Sequence, residues 1–258
     1  MPDAISNLPA PRVALVGFGE AGEAFASAKG WRGETRGWDI LADRRAVMAK
    51  HRVETADNAA DALDDRSLLL SLVTADEALN AARLYAPLLP EGALWCDMNS
   101  VAPETKREAA AAIEARGGRY VDVAIMSPVE KGLAVPLLVA GPHARAAQPL
   151  LEALGFTDVR AVGEEVGRAS AIKMIRSVMV KGLEALSAEC AAAAEQAGWA
   201  EKIAYNRERM ETHGLRRAAE MEESAKTLQG LGVEPVMTRG TVELQRRSAK
   251  PKRKDEAA

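Results

Sequence analysis

Along the first 165 residues, short apolar runs alternate with longer stretches whose apolar positions recur every three or four residues. Residues 13–16 are apolar and stop at a glycine, and residues 20–29 are alanine-rich with helical spacing, so the chain opens as strand, tight turn and helix. Residues 35–40 supply a second strand, 67–73 a strong buried one and 94–97 another, with helical segments over 41–50, 58–63, 75–84 and 103–116. Three further apolar runs, 120–125, 136–140 and 159–162, are bounded by Gly and Pro and extend the sheet. Strands alternating with helices at this spacing predict an α/β fold, a Rossmann-type doubly wound parallel sheet over residues 1–165.

From residue 166 the pattern changes. Residues 168–197 form one long helical pattern without a proline, and 201–228 are charged helical sequence, which together predict a smaller all-helical C-terminal domain over 166–240. So few residues bury a low fraction of their surface, so a homodimer built through these helices is expected. Residues 241–258 carry the run Lys250, Lys252, Arg253 and Lys254 with almost no apolar content, and a disordered basic tail is expected there. The chain has no internal repeat.

With 48% hydrophobic residues among 258, the chain buries a full core and is not disordered as a whole. A formal charge of −3 gives no overall attraction to nucleic acid or to an anionic membrane, so the expected partner is a small-molecule substrate. Cys96 and Cys190 lie far apart without a CxxC or Cys/His neighbour; both are expected to be reduced, buried thiols, and no metal site is expected. Residues 1–11 carry neither part of a secretory leader, and no stretch approaches the roughly 18 apolar residues of a membrane span. A cytoplasmic location is the expectation.

The segment Val13-Ala-Leu-Val-Gly17-Phe-Gly19-Glu-Ala-Gly22 sets GxGxxG directly after a strand and at the head of a helix. In that context Gly17 permits the tight turn, Gly19 lets the backbone approach a pyrophosphate, and Gly22 allows helix and strand to pack closely. The helix start, with Phe18, Glu20 and Ala21, offers backbone amides to the phosphates. Asp39 stands 20 residues beyond Gly19, at the end of the second predicted strand, where a carboxylate accepts hydrogen bonds from the adenosine ribose. That favours NAD over NADP. Arg44 and Arg45 would compensate for a 2′-phosphate if their loop folds back, and are otherwise a solvated helix face. Two more strand ends point into the same crevice, placing Val73, Thr74 and Asn99 toward the cofactor and Ser100 toward the substrate. Thr74 and Ser100 also stand where helix N-caps are expected.

A helix that begins where the sheet domain ends must pass the cleft, and Lys173 lies near its start. Lys173, Ser177 and Lys181, spaced i, i+4, i+8, share one face. Apolar neighbours Ile172, Met174 and Ile175 would partly desolvate the ammonium and lower its pKa, which suits a general acid/base beside an alcohol. An ordinary lysine snorkelling off a helix is the other reading.

The order of GxGxxG at Gly17, Asp97-Met-Asn99-Ser100-Val-Ala-Pro103, Tyr120-Val-Asp122-Val-Ala and the Lys173 helix resembles the 3-hydroxyacid dehydrogenase family, which includes 6-phosphogluconate and 3-hydroxyisobutyrate dehydrogenases. The resemblance covers about residues 12 to 235. Within the family, the stretches around Ile172 to Leu186 and His213-Gly-Leu-Arg-Arg-Ala-Ala-Glu-Met221 are similar to a branch with a short helical C-terminal domain. The resemblance implies hydride transfer between a nicotinamide cofactor and a small 3-hydroxy acid, with Lys173 as general acid/base. It also implies substrate contacts from Ser100, Ser127 and Ser177, and from His213 where the C-terminal domain reaches a neighbouring subunit's cleft. Two departures stand out. Ser177 occupies the place of the family's substrate-binding asparagine, and Met126-Ser127-Pro128 replaces a loop of one serine and two glycines, with Pro128 offering no amide. Two rivals stay open: an imine reductase-like enzyme, because similar dimeric Rossmann enzymes with a helical second domain reduce C=N bonds, although the retained Lys173 argues against it, and a non-catalytic dinucleotide-binding sensor or scaffold, which the two departures motivate.

Overall fold

The computed structural model describes residues 11–51, 53–196 and 204–249. Its chain forms two compact units that divide between Lys173 and Met174. The first contains β1 (Arg12–Val16), α1 (Glu20–Ala26), β2 (Glu34–Trp38), α2 (Ala42–Met48), β3 (Glu54–Thr55), α3 (Ala59–Leu63), β4 (Leu68–Ser71), α4 (Ala78–Tyr85) and β5 (Leu94–Asp97). Then follow α5 (Pro103–Glu114), β6 (Arg119–Ile125), β7 (Leu137–Ala140), α6 (Ala144–Leu154) and β8 (Val159–Gly163). Helix α7 (Arg168–Gln196) starts in this unit and continues into the second, which adds α8 (Ala204–Gly230) and α9 (Val236–Ser248).

The eight strands lie in the order β3-β2-β1-β4-β5-β6-β7-β8. Strands β1 to β6 pair in parallel, as the alternation predicts, and the order reverses between β1 and β4. The expectation of a wholly parallel sheet fails at β7, which runs antiparallel to β6. The reason is length: residues 126–136 hold only a short 3-10 turn (Val129–Ala134), too little chain for the helical crossover that a parallel pair needs. Between β7 and β8, α6 makes that crossover and the pairing is parallel again. Helix α6 carries Pro149 inside it, which hides it from a periodicity reading.

The sheet strands read as continuous apolar runs because both faces are covered. Leu15, Leu70, Cys96 and Val121 face α1 and α6, where Phe25 meets Phe156 edge to face at 5.1 Å. Ala14, Leu69, Trp95 and Tyr120 face the other way, onto Leu63, Tyr85 and Ile113 of α3, α4 and α5. Each strand therefore feeds two cores in alternation, which pins its register.

In the second unit, α8 and α9 meet over Ala218, Met221 and Val242. Helix α7 is tied to α8 by ion pairs, Lys181 with Glu220 at 2.5 Å and Glu184 with Arg217. Two expectations need correction here. Residues 241–248, expected in a disordered tail, form the end of α9, because Thr238, Thr241, Val242 and Gln245 give that segment a buried face despite its charge; residues 250–258 lie outside the described residues. Cys190, expected buried, is exposed, since it falls on the outer face of α7, whereas Cys96 is buried. Its thiol is pushed up to about 12 by that burial. Among the described residues no helix is long and apolar enough to cross a membrane.

Candidate functional site

Because β1, β2, β4, β5 and β6 are parallel neighbours, their carboxyl ends share one edge of the sheet, and the loops that follow them carry most of the chemistry-bearing residues. After β1, Gly17 has φ +89°, and a Cβ there would meet the Leu72 carbonyl oxygen at 2.8 Å, so the turn requires glycine. Gly19 stands open: a Cβ would meet nothing within 4 Å, leaving the backbone before α1 uncovered. Gly22 packs against the Phe18 ring and the Gly17 carbonyl, the latter 3.2 Å from a built Cβ. Phe18 buries its ring, and the carboxylates of Glu20 and Glu23 sit in the first turn of α1. No side chain caps the start of α1, where Glu20 and Ala21 stand in the first turn.

Asp39 follows β2 and draws the loops together. One carboxylate oxygen accepts the Phe18 amide at 2.7 Å and the other the Leu41 amide at 2.8 Å. Arg45 folds back: its guanidinium lies 4.8 Å from the Trp38 ring centre and donates to the Asp39 carbonyl at 2.6 Å. Arg44 pairs with Glu23 at 3.6 Å, and His51 lies 3.2 Å from the same carboxylate. The arginine pair is thus not simply a solvated helix face.

After β4, Val73 is half-buried and Thr74 is exposed. Thr74 holds the N-cap position of a 3-10 turn (Ala75–Glu77), and its hydroxyl caps nothing. After β5, Asn99 is buried; its side-chain NH₂ donates to Ser71 Oγ at 3.0 Å and to Asp97 Oδ1 at 2.8 Å. Ser100 is not the N-cap of α5, a place taken by Ala102. Its hydroxyl instead accepts a hydrogen bond from Lys173 Nζ at 2.5 Å. After β6, Ser127 is half-buried and its hydroxyl donates weakly to the Pro128 carbonyl at 3.4 Å.

The structure thus brings Lys173 and Ser100 together beside the glycine turn's end of the sheet. Ser177 and His213 belong to the other unit. Ser177 is buried one turn further along α7, where its hydroxyl accepts from Lys181 Nζ at 3.4 Å. Burial pushes the Lys181 ammonium below the usual lysine range, against the pull of Glu220. His213 lies half-buried on α8.

One group escapes the sequence reading. Asp97 and Asp122 are register partners across β5 and β6, both fully buried. Lys106 of α5, also fully buried, bridges them: its Nζ lies 3.0 Å from Asp97 Oδ1 and 3.5 Å from Asp122 Oδ1, the latter without hydrogen-bond geometry, and donates to the Asp97 carbonyl at 2.6 Å. Tyr120 donates to Asp97 Oδ2 at 2.6 Å, and burial holds its phenol well above the usual range, so it stays a donor. Lys106 in Pro103-Glu-Thr-Lys-Arg looks like any solvated helix residue. The available signal was the pair of aspartates at the ends of apolar strands, which require a cation.

Residues 12–163 match the NAD binding domain of 6-phosphogluconate dehydrogenase. The chain belongs to this family. Residues 183–248 match a second family model, a domain of unknown function (DUF1932), so the 6-phosphogluconate dehydrogenase-type domain is here joined to that helical module. Among solved structures, a conserved hypothetical protein from Sinorhizobium meliloti is 35% identical, covering 94% of this chain and 89% of that one with a TM-score of 0.74. The conserved protein MTH1747, described as structurally similar to 3-hydroxyacid dehydrogenases, is 28% identical over 92% of this chain and 96% of its own, with a TM-score of 0.71. A Mycobacterium tuberculosis 3-hydroxyisobutyrate dehydrogenase solved with L-serine, 14% identical, shares the fold over 92% and 93% of the two chains at a TM-score of 0.76. The family resemblance and the Rossmann-type fold with its helical C-terminal domain are both confirmed. The uncovered backbone at Gly19, the tight Gly17 turn and the carboxylate beyond β2 fit the NAD(P) dinucleotide that this family's domain binds.

Proposed function

We propose that the protein is an NAD(P)-dependent oxidoreductase acting on a small 3-hydroxy acid, or on its carbonyl form. The observation that carries this is Lys173 Nζ held on Ser100 Oγ at 2.5 Å, at a strand end beside the dinucleotide turn. Residues 17–22 would hold the pyrophosphate and Asp39 the ribose, with Val73, Thr74 and Asn99 along the cofactor. When bound, the nicotinamide supplies the hydride acceptor or donor. Lys173 takes the hydroxyl proton as the carbonyl forms and returns it in the reverse direction, while its cationic form attracts the substrate carboxylate. Ser100 fixes the lysine's head group, and Ser127 is a further substrate contact within the same unit. NAD is the preferred cofactor, because a 2′-phosphate would meet the Asp39 carboxylate; the nearby Arg45 is the feature that would admit NADP.

Titration of the full chain with NADH and NADPH, read by nicotinamide fluorescence, tests the cofactor. A screen of hydroxy acids and imines then supplies a substrate. Lys173→Ala is expected to keep cofactor affinity within about twofold and to lower turnover by about a hundredfold or more. Unchanged turnover would remove Lys173 from the reaction. Binding without turnover of any compound would favour a sensor, and turnover of imines alone an imine reductase.

The partner of the helical unit is proposed to be a second copy of this chain. Ile175, Met179, Leu183 and Leu186 line one face of α7 and are each at least 51% exposed, a stripe long enough to pack against its own symmetry mate. Leu183→Glu is expected to turn a dimer into a monomer in light scattering; a wild-type monomer would exclude the contact.

A further inference from the structure

The turn that carries Ser100 and the helix that carries Lys173 come from distant parts of the sequence, yet a 2.5 Å contact between them requires placement to a fraction of an ångström. The buried charge cluster provides it. Asp122 reaches from β6 to the start of α7, where its Oδ2 accepts the backbone amides of Gly167 at 3.1 Å and Ser170 at 3.0 Å. A carboxylate from 45 and 48 residues away therefore caps the start of this helix. On the other side, Asp97 Oδ1 accepts the Asn99 amide at 2.9 Å and fixes the turn into Ser100. Lys106 joins the two carboxylates, and the Ser170 hydroxyl donates to the Val101 carbonyl, one residue past Ser100. Asp97, Asn99, Lys106, Asp122 and Ser170 are all buried, where water cannot substitute for a lost partner.

We propose that Asp122 and Lys106 are positioning residues that set Lys173 on Ser100. This deepens the assignment of Lys173 above and rests on it for its functional meaning, but its test needs no substrate. Lysine labelling by trinitrobenzenesulfonate, quantified at Lys173 by peptide mass spectrometry on the folded full-length chain, reads how firmly the amine is held. Ser100→Ala removes this one contact and is expected to raise the Lys173 labelling rate about threefold or more. Asp122→Ala is expected to give a similar rise, and the double variant no further one, because both act on the same contact. Asp122→Asn keeps an acceptor for the Gly167 and Ser170 amides and is expected to return the rate to within about twofold of wild type. Should Asp122→Ala fail to fold, Ser170→Ala removes only the link to Val101 and is expected to shift the rate in the same direction. An unchanged Lys173 rate in the folded Asp122 or Ser170 variant, or rises that multiply in the double variant, would overturn the proposal. Failure of Lys173→Ala to affect turnover would instead remove the catalytic role and leave the positioning result standing.

Discussion

Replacing Lys106 by Met removes the only ammonium among the described residues within reach of two fully buried carboxylates. Asp97 would keep three donors, the Asn99 backbone and side-chain N–H and the Tyr120 hydroxyl, and Asp122 would keep the Gly167 and Ser170 amides. What is lost is the charge compensation, and breaking a buried pair in this way costs about 3–5 kcal/mol. Burial already raises the Asp122 carboxyl above its ordinary value, with Lys106 opposing the rise. Without Lys106 the rise is larger. A carboxyl whose folded pKa exceeds its unfolded value adds stability below the unfolded pKa, near 3.8, and loses it as pH climbs through the folded pKa. The Lys106→Met deficit should therefore grow as pH is raised above that unfolded value, by up to about 1.4 kcal/mol per unit until the folded carboxyl has ionised. Urea unfolding followed by tryptophan emission suits the measurement, since Trp31, Trp38 and Trp95 all lie in the sheet unit. Adding Asp122→Asn, which removes the surplus negative charge, should recover roughly half of the loss at pH 8. A deficit below about 1 kcal/mol, or one that does not change with pH, would refute the claim that Lys106 compensates both carboxylates.

The glycine turn yields a contrast between neighbours. Gly17→Ala forces a Cβ into the Leu72 carbonyl and an L-residue into positive φ, so it should lower the melting temperature and abolish NADH binding together. Gly19→Ala, projecting into open space, should leave the melting temperature within a degree or two while weakening NADH about tenfold or more; normal binding would show that the cofactor does not approach there. For the thiols, Cys190 should react with Ellman's reagent in the native protein and Cys96 only after unfolding, and two fast equivalents in the folded state would contradict the burial of Cys96.

Much of the fold was legible because its signals are local. GxGxxG after an apolar run, the alternation of strands and helices, and the change to long helical periodicity are properties of neighbouring residues, and they fixed the Rossmann-type domain, the helical module and the cofactor turn. The signal failed where a segment's fate depends on what packs against it. The direction of β7 follows from the length of the chain before it, and the end of α9 is ordered by the face it buries on α8, not by its own charged sequence. The site divides in the same way. The places of Gly17 and Gly19 in the turn after β1 and of Asp39 after β2 could be read from spacing, because a motif places its own atoms. That Asp39 serves the turn itself through Phe18 and Leu41, that Lys173 rests on Ser100, and that a lysine in an ordinary-looking helix holds two aspartates from adjacent strands are facts about long-range pairing. Buried charges are held only by partners that the folded chain brings to them, and sequence spacing does not encode those distances.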